Sequence, residues 1–245
     1  MEDNLLIYAL IGFCAQLVDS ALGMAFGSLS SSLLLAIGFP AQSLSATVHM
    51  AEIFGGSASA LSHWRMGNID MPLLKKLAVP ALAGAILGAF MVTQFDNKFL
   101  YPLMGIYFSI IGSVIVLKAL RPEIIRTMKT RRETIGFIGG FLDAFGGAGW
   151  GEFVSSGLLL RGYDTRKAIG SIVAVEFMIA IAVSVILFST MGISLWAPII
   201  ALALGAIAAA PIGAYVCRRT PSRLLTLGVG SLIAVIGVKT LIQSL

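Results

Sequence analysis

The stretch Asp143-Ala-Phe-Gly-Gly-Ala-Gly-Trp-Gly151 interrupts an apolar region, Thr134–Leu160, and its reading decides the fold. Only 27 residues separate the flanking charges Glu133 and Arg161. Two full helical crossings of a bilayer need about 40 residues, so the region is either one kinked crossing or a re-entrant pair of half-helices. Positive charge discriminates, because short loops rich in Lys and Arg stay in the cytoplasm. Arg121, Arg126, Lys129, Arg131 and Arg132 place the loop before the region inside. A single crossing would then put Arg161, Arg166 and Lys167 outside, and Arg218, Arg219 and Arg223 after them. A hairpin that enters and returns keeps every one of these clusters inside, and the loop around Arg65, Lys75 and Lys76 is inside in either case. The hairpin reading is therefore adopted, and both termini face the periplasm.

Working outward, the same pattern occurs earlier. Ile7–Phe39 is apolar at both ends and broken by Asp19-Ser-Ala-Leu-Gly-Met-Ala-Phe-Gly-Ser28. Asp19 and Asp143 lie 124 residues apart. At that offset Ile11-Gly12-Phe13 meets Ile135-Gly136-Phe137, Gly23 meets Gly147, Gly27 meets Gly151, and Ser31-Ser32 meets Ser155-Ser156. Leu34-Leu35 meets Leu158-Leu159, Gly38 meets Gly162 and Glu52 meets Glu176, all without a gap. After one inserted residue, Gly88 meets Gly213 and Gly112 meets Gly237. Chance pairs glycines readily in apolar sequence; it pairs acids far less often.

Six further runs reach the roughly 20 residues that a span requires: Ser43–Trp64, Leu74–Phe95, Phe99–Leu120, Lys167–Ser189, Leu195–Cys217 and Arg223–Gln243. The predicted fold is an all-α polytopic membrane protein of two inverted repeats. Each repeat is a re-entrant or broken-helix hairpin plus three transmembrane helices, and three is odd, so the second half inserts upside down. Residues 5–120 form the first repeat, 121–133 a cytoplasmic linker and 134–245 the second repeat. Inverted repeats with broken helices are common among secondary transporters, and the two tips are expected to meet near the bilayer midplane.

Composition agrees. Of 245 residues 58% are hydrophobic and only 12% charged, about half the charged share of soluble domains, and the mean hydropathy is +0.94. Lipid must take up part of this apolar surface. The net charge of +5 sits in short loops and reads as topology, not as nucleic-acid binding. Cys14 and Cys217, both in apolar surroundings, suggest no disulfide framework. Met1-Glu2-Asp3-Asn4 lacks the positive start of a signal peptide, so the first segment is expected to be retained. Trp64 and Trp196 fall at span ends and read as interface anchors.

At each tip the returning half-helix begins near Gly27-Ser28 or Trp150-Gly151. A helix N-terminus offers free N–H groups and a partial positive charge, and so favours an anion. The candidate substrate-binding residues are Gly23, Gly27, Ser28, Ser31, His49, Gly147, Gly149, Trp150, Gly151 and Ser155, with the hydroxyls of Ser30, Ser32 and Ser156 as further donors. They are expected to line a central cavity between the tips. Against this stands the plain alternative that Gly and Ser only permit close helix packing. Ionisable residues at depth are costly and usually functional. Asp19, Glu52, Asp143 and Glu176 are the candidates for proton coupling or for organising the site. His49 and Glu52 share a helix face and could hold a proton between them, whereas Asp19 and Asp143 could simply bond backbone N–H groups of the turns. Glu152 stands where the first half has Ser28, and reads as a protonation site or an exposed residue.

No Ser/His/Asp triad, HExxH, Cys/His metal spacing or GxxxxGK[ST] loop appears. The chain is therefore read as no enzyme, with no cofactor and no metal. Export of an anion from a negative interior is favoured by about 2.3 kcal/mol per charge per 100 mV, whereas uptake would need protons or another ion.

The two glycine-rich entry segments, Ile11–Gly38 and Ile135–Gly162, together with Ser45-Ala-Thr-Val-His-Met-Ala-Glu52 and Ser62-His-Trp-Arg-Met-Gly-Asn-Ile-Asp70, resemble the TauE/SafE sulfite exporter family, also called the 4-toluene sulfonate uptake permease family. The resemblance covers nearly the whole chain. It implies a carrier in the bacterial inner membrane whose partner is a small organosulfur or sulfur-oxyanion substrate, often moved outward. The first tip, Ala21–Ser28, carries fewer glycines than is usual for the family. A passive anion channel of the same fold, a carrier of a different small organic anion and a membrane-embedded enzyme are the alternatives. An exporter moving both tips against a homodimer scaffold would also explain the hairpins.

Overall fold

The computed structural model describes residues 4–121, 132–147, 150–159, 163–191, 195–217 and 222–244. Among them there is no strand. The helices are α1 (Leu5–Leu22), α2 (Phe26–Ala36), α3 (Ala41–Arg65), α4 (Met71–Val92), α5 (Asn97–Leu120), α6 (Arg132–Gly146), α7 (Trp150–Leu159), α8 (Thr165–Met191), α9 (Trp196–Val216) and α10 (Ser222–Ser244). The six spans read from the sequence are α3, α4, α5, α8, α9 and α10, each displaced by three residues or fewer at either end. Asp70 and Asp96 fix two of the starts, accepting the N–H of Leu73 and Phe99, as side-chain caps do.

The two interrupted regions are helical hairpins. Gly23 and Gly147, which correspond in the repeat, both take positive φ (67° and 68°) at the break. Glycine alone adopts that conformation without steric cost. In the first hairpin Tyr8, near the start of α1, meets Phe39, beyond the end of α2, edge to face at 6.4 Å. The two ends therefore lie together. In the second, Gly139 of α6 lies against Trp150 and Val154 of α7. The arms are unequal, which the sequence reading of paired half-helices did not anticipate. At 1.5 Å per residue α1 runs about 27 Å and α2 about 16 Å. By length and apolarity α1 joins α4, α5, α8 and α9 as a candidate span.

Of the six predicted spans, α3 and α10 are not among these candidates, α10 counting only as a shorter apolar helix over Leu227–Gln243. Although α3 has 25 residues, it is not among the helices apolar enough to cross lipid unaided. It carries His49, Glu52 and His63, all buried, because protein surrounds it: α3 packs against α1, α2, α5, α6, α8 and α9.

Packing repeats between the halves. α1 lies along α9, and α6 along α4. Gly213 of α9 abuts the Leu17 carbonyl of α1, while Gly88 of α4 abuts the Phe141 carbonyl of α6; Leu17 and Phe141 correspond at the repeat offset. In both pairs the helices run parallel. α5 and α10 run antiparallel: Gly105 meets Leu241, Gly112 meets Ala234, and Gly230 meets Ile115. α3 and α8 are also antiparallel, with Gly170 against Asn68 and Gly56 against Phe177. Small residues at such crossings let backbones approach where lipid supplies no hydrophobic drive between helices. The outer faces are apolar, as at Leu6, Val79, Val185, Leu204 and Val235.

Candidate functional site

The two hairpin tips meet inside the bundle. A Cβ on Gly151 would stand 2.5 Å from the Met24 backbone, so the tips touch directly. Ser31, midway along α2, donates to the Gly147 carbonyl at 3.0 Å. Its repeat counterpart Ser155, on α7, points to the Met24 sulfur at 3.9 Å. Gly23 packs on Ile169 of α8. Each tip thus reaches past the other to the middle of the opposite returning arm.

Every described candidate is buried: Asp19, Gly23, Gly27, Ser28, Ser31, His49, Glu52, Asp143, Gly147, Trp150, Gly151, Ser155 and Glu176. The described surfaces of the tips are in contact, where a central cavity between them was expected. An open groove runs instead along the exposed face of α5, lined by Ser109, Ile110, Ser113, Val114 and Leu117. Gly149 lies outside the described residues, as do the side chains of Glu152 and Ser156. Trp64 and Trp196 are exposed, at the last turn of α3 and the first of α9, whereas Trp150 is fully buried and donates its indole N–H to the Ile172 carbonyl.

Asp143 organises the second tip. Its Oδ1 accepts the Trp150 N–H at 3.3 Å, so a carboxylate from α6 occupies the N-terminus of α7. Its Oδ2 stands 3.2 Å from Nε2 of His49. Helical spacing had paired His49 with Glu52; the fold brings it to an acid 94 residues away. Ser45, one turn before His49, donates to the Ala144 carbonyl at 2.7 Å, so α3 grips this tip at two successive turns.

The first tip is held differently. The Gln16 amide donates to Asp19 Oδ2 and to Ser20 Oγ, each at 3.1 Å. Ser20 and Ser59 join hydroxyls at 2.7 Å. His63 Nε2 donates to the Ser20 carbonyl at 3.0 Å, and its Nδ1 faces the Asn68 amide nitrogen at 3.2 Å. All six of these residues are buried. Sequence reading missed Gln16, Ser45, Ser59, His63 and Asn68 as parts of the tip supports. A signal existed for Gln16, a polar residue one turn before Asp19 in an otherwise apolar run.

Glu52 and Glu176 come from facing helices near their crossing. Gly56 separates Glu52 Cγ from Phe177, the residue after Glu176. Both carboxyls are enclosed by protein. Ser30 is fully buried as well, and its hydroxyl meets no partner among the described residues. Among those residues no cluster of His, Cys, Asp and Glu could hold a metal ion.

Comparison with known proteins adds to this geometry. The family model described as "Sulfite exporter TauE/SafE" matches residues 8–240. A curated relative from Bacillus subtilis (strain 168), described as "Probable membrane transporter protein YtnM", is 34% identical over 250 residues, covering 98% of this chain and 83% of that protein. No solved structure matches.

Proposed function

The chain belongs to the TauE/SafE sulfite exporter family and is a membrane transporter; from that premise we propose that it is a secondary carrier exporting a small sulfur-containing anion, sulfite or an organosulfonate. The observation that carries this reading is the meeting of two buried hairpin tips, each at the start of a returning helix. Irregular backbone at membrane depth persists only where protein or a cavity covers it. Backbone N–H groups at such starts hold negative charge without a buried Lys or Arg. Asp143 on the Trp150 N–H illustrates the preference.

In this reading the cargo enters between the tips when they part. Gly23, Gly27, Gly147 and Gly151 let backbone approach it, and Ser28, Ser31, Ser155 and His49 supply polar contacts. A buried hydroxyl without a partner costs about 1–3 kcal/mol, and an oxyanion in reach of Ser30 would remove that cost. Glu52 and Glu176 organise the helix crossing beneath the site.

The relative helix directions support an inverted-repeat insertion with both termini periplasmic. α1 parallel to α9, α6 parallel to α4, and α5 antiparallel to α10 are the directions such an insertion requires. An outward anion needs no added energy source in a cell negative inside.

The test is flux from proteoliposomes loaded with sulfite, sulfoacetate, taurine or chloride. Saturable flux of a sulfur anion that responds to the imposed potential is expected. Unsaturating flux that includes chloride would show a channel instead. Flux of none of the sulfur anions would overturn the substrate assignment. Gly151→Val, whose side chain would press on Met24, should abolish flux in folded protein.

A further inference from the structure

The bonds around His49 fix where its protons lie. Nδ1 is 2.8 Å from the Ser45 carbonyl, which only accepts, so Nδ1 carries a hydrogen. The Ser45 hydroxyl, 3.3 Å from the same nitrogen, gives its own hydrogen to Ala144 and faces Nδ1 as an acceptor too. Nε2 then meets Asp143 Oδ2 at 3.2 Å. A neutral ring with its hydrogen on Nδ1 presents a lone pair at Nε2, and a lone pair against a carboxylate oxygen in a buried site is repulsive. The contact therefore contains one proton, on nitrogen or on oxygen. The pair as a whole is neutral with it and carries one negative charge without it.

This histidine–acid pair is not repeated by sequence in the other half. The residue corresponding to His49 is Val173, and the residue corresponding to Gln16 is Gly140. The bonds joining α1 to α3, between Ser20 and Ser59 and between His63 and the Ser20 carbonyl, run between groups that need no shared proton. Of the elements packed on α3, α2 bears no titratable residue and α9 only Tyr215, which is exposed. α1 brings Asp19, α5 Tyr107, α8 Glu176 and α6 Asp143 itself, while Glu52 lies one turn along α3.

We propose that His49 and Asp143 form the proton-binding site of the transport cycle, and that loss of their shared proton releases the second hairpin from α3 while the first hairpin stays pinned. The site rests on the carrier reading for its purpose but not for its existence. When the proton leaves, it passes to water admitted at the parting tip. Asp143 keeps the Trp150 N–H within the hairpin, and toward α3 the bond from Ser45 to the Ala144 carbonyl remains.

Hydrogen–deuterium exchange of the full-length protein in nanodiscs, from about pH 5 to about pH 9 and corrected for intrinsic exchange, tests this without substrate. An opening that releases one proton gains about tenfold in population per pH unit wherever the closed state binds one proton more than the open one. Protection of 143–151 should fall by that factor, while 16–25 stays level. Asp143→Asn keeps a donor toward Nε2 without a shared proton and should flatten the response, as should His49→Gln. Four results would overturn the proposal. They are a flat wild type, a response of equal size in both hairpins, a response that survives in folded Asp143→Asn, or one lost in Glu52→Gln or Glu176→Gln instead. Should Asp143→Asn fail to fold, His49→Gln alone decides the matter. A pH-dependent hairpin in a protein that moves no sulfur anion would sink the substrate assignment and leave this site standing.

Discussion

Ser31 gives its hydroxyl hydrogen to the Gly147 carbonyl across 3.0 Å, joining the middle of one hairpin's returning arm to the tip of the other. The bond is buried and links residues 116 apart. Its counterpart by repeat, Ser155, points to the Met24 sulfur at 3.9 Å, and thioether sulfur is a weak acceptor. Across the tip contact itself the two related positions make unequal bonds. Ser31→Ala should cost about 1–3 kcal/mol, since it strands a buried carbonyl, and Ser155→Ala clearly less. Thermal unfolding of both variants in one detergent checks the order; equal losses would refute it.

Backbone strain at the first tip yields a second expectation. Ala25 sits at φ 91°, a conformation that a Cβ disfavours by about 1–2 kcal/mol. Its counterpart in the repeat is Gly149. Ala25→Gly should raise the unfolding temperature, whereas Gly147→Ala, at φ 68° and close to the Ser31 hydroxyl, should lower it. A destabilised Ala25→Gly would contradict the strain reading.

Gly88 and Gly213 stand at related contacts, against the Phe141 and Leu17 carbonyls respectively. A side chain at either position must push a hairpin's first helix from the helix that supports it. Gly88→Val and Gly213→Val should each destabilise by about 1–3 kcal/mol, as overpacking does, and by similar amounts. A large loss at one and none at the other would show that the two supports are not equivalent.

Insertion can be read with reporters fused after Ala119, Gly162 and Pro221. The expected outcome is a cytoplasmic signal at all three and a periplasmic one at both termini. A periplasmic signal at Gly162, and with it at Pro221, would turn the second hairpin into a single crossing and remove the inverted arrangement.

What the sequence determined follows from two short-range rules. Helix length depends on local composition, so all six long helices were legible, four of them candidate spans, and the Gly23 and Gly147 breaks were marked by the glycines their positive φ requires. The repeat reading rested on Asp19 with Asp143 and Glu52 with Glu176 recurring at one spacing, and the positive φ of Gly23 and Gly147 accords with it. Tertiary structure alone decided the rest. The unequal arms of the first hairpin, the direct contact of Gly151 with Met24 and the exchange of α1 and α6 onto α9 and α4 depend on surfaces distant in the chain. So does the partner of His49: helical periodicity reports only neighbours on the same helix, and chose Glu52. The fold chose Asp143, because a buried ring nitrogen facing a carboxylate is satisfied across a helix crossing, and no pattern along the chain records which helices cross.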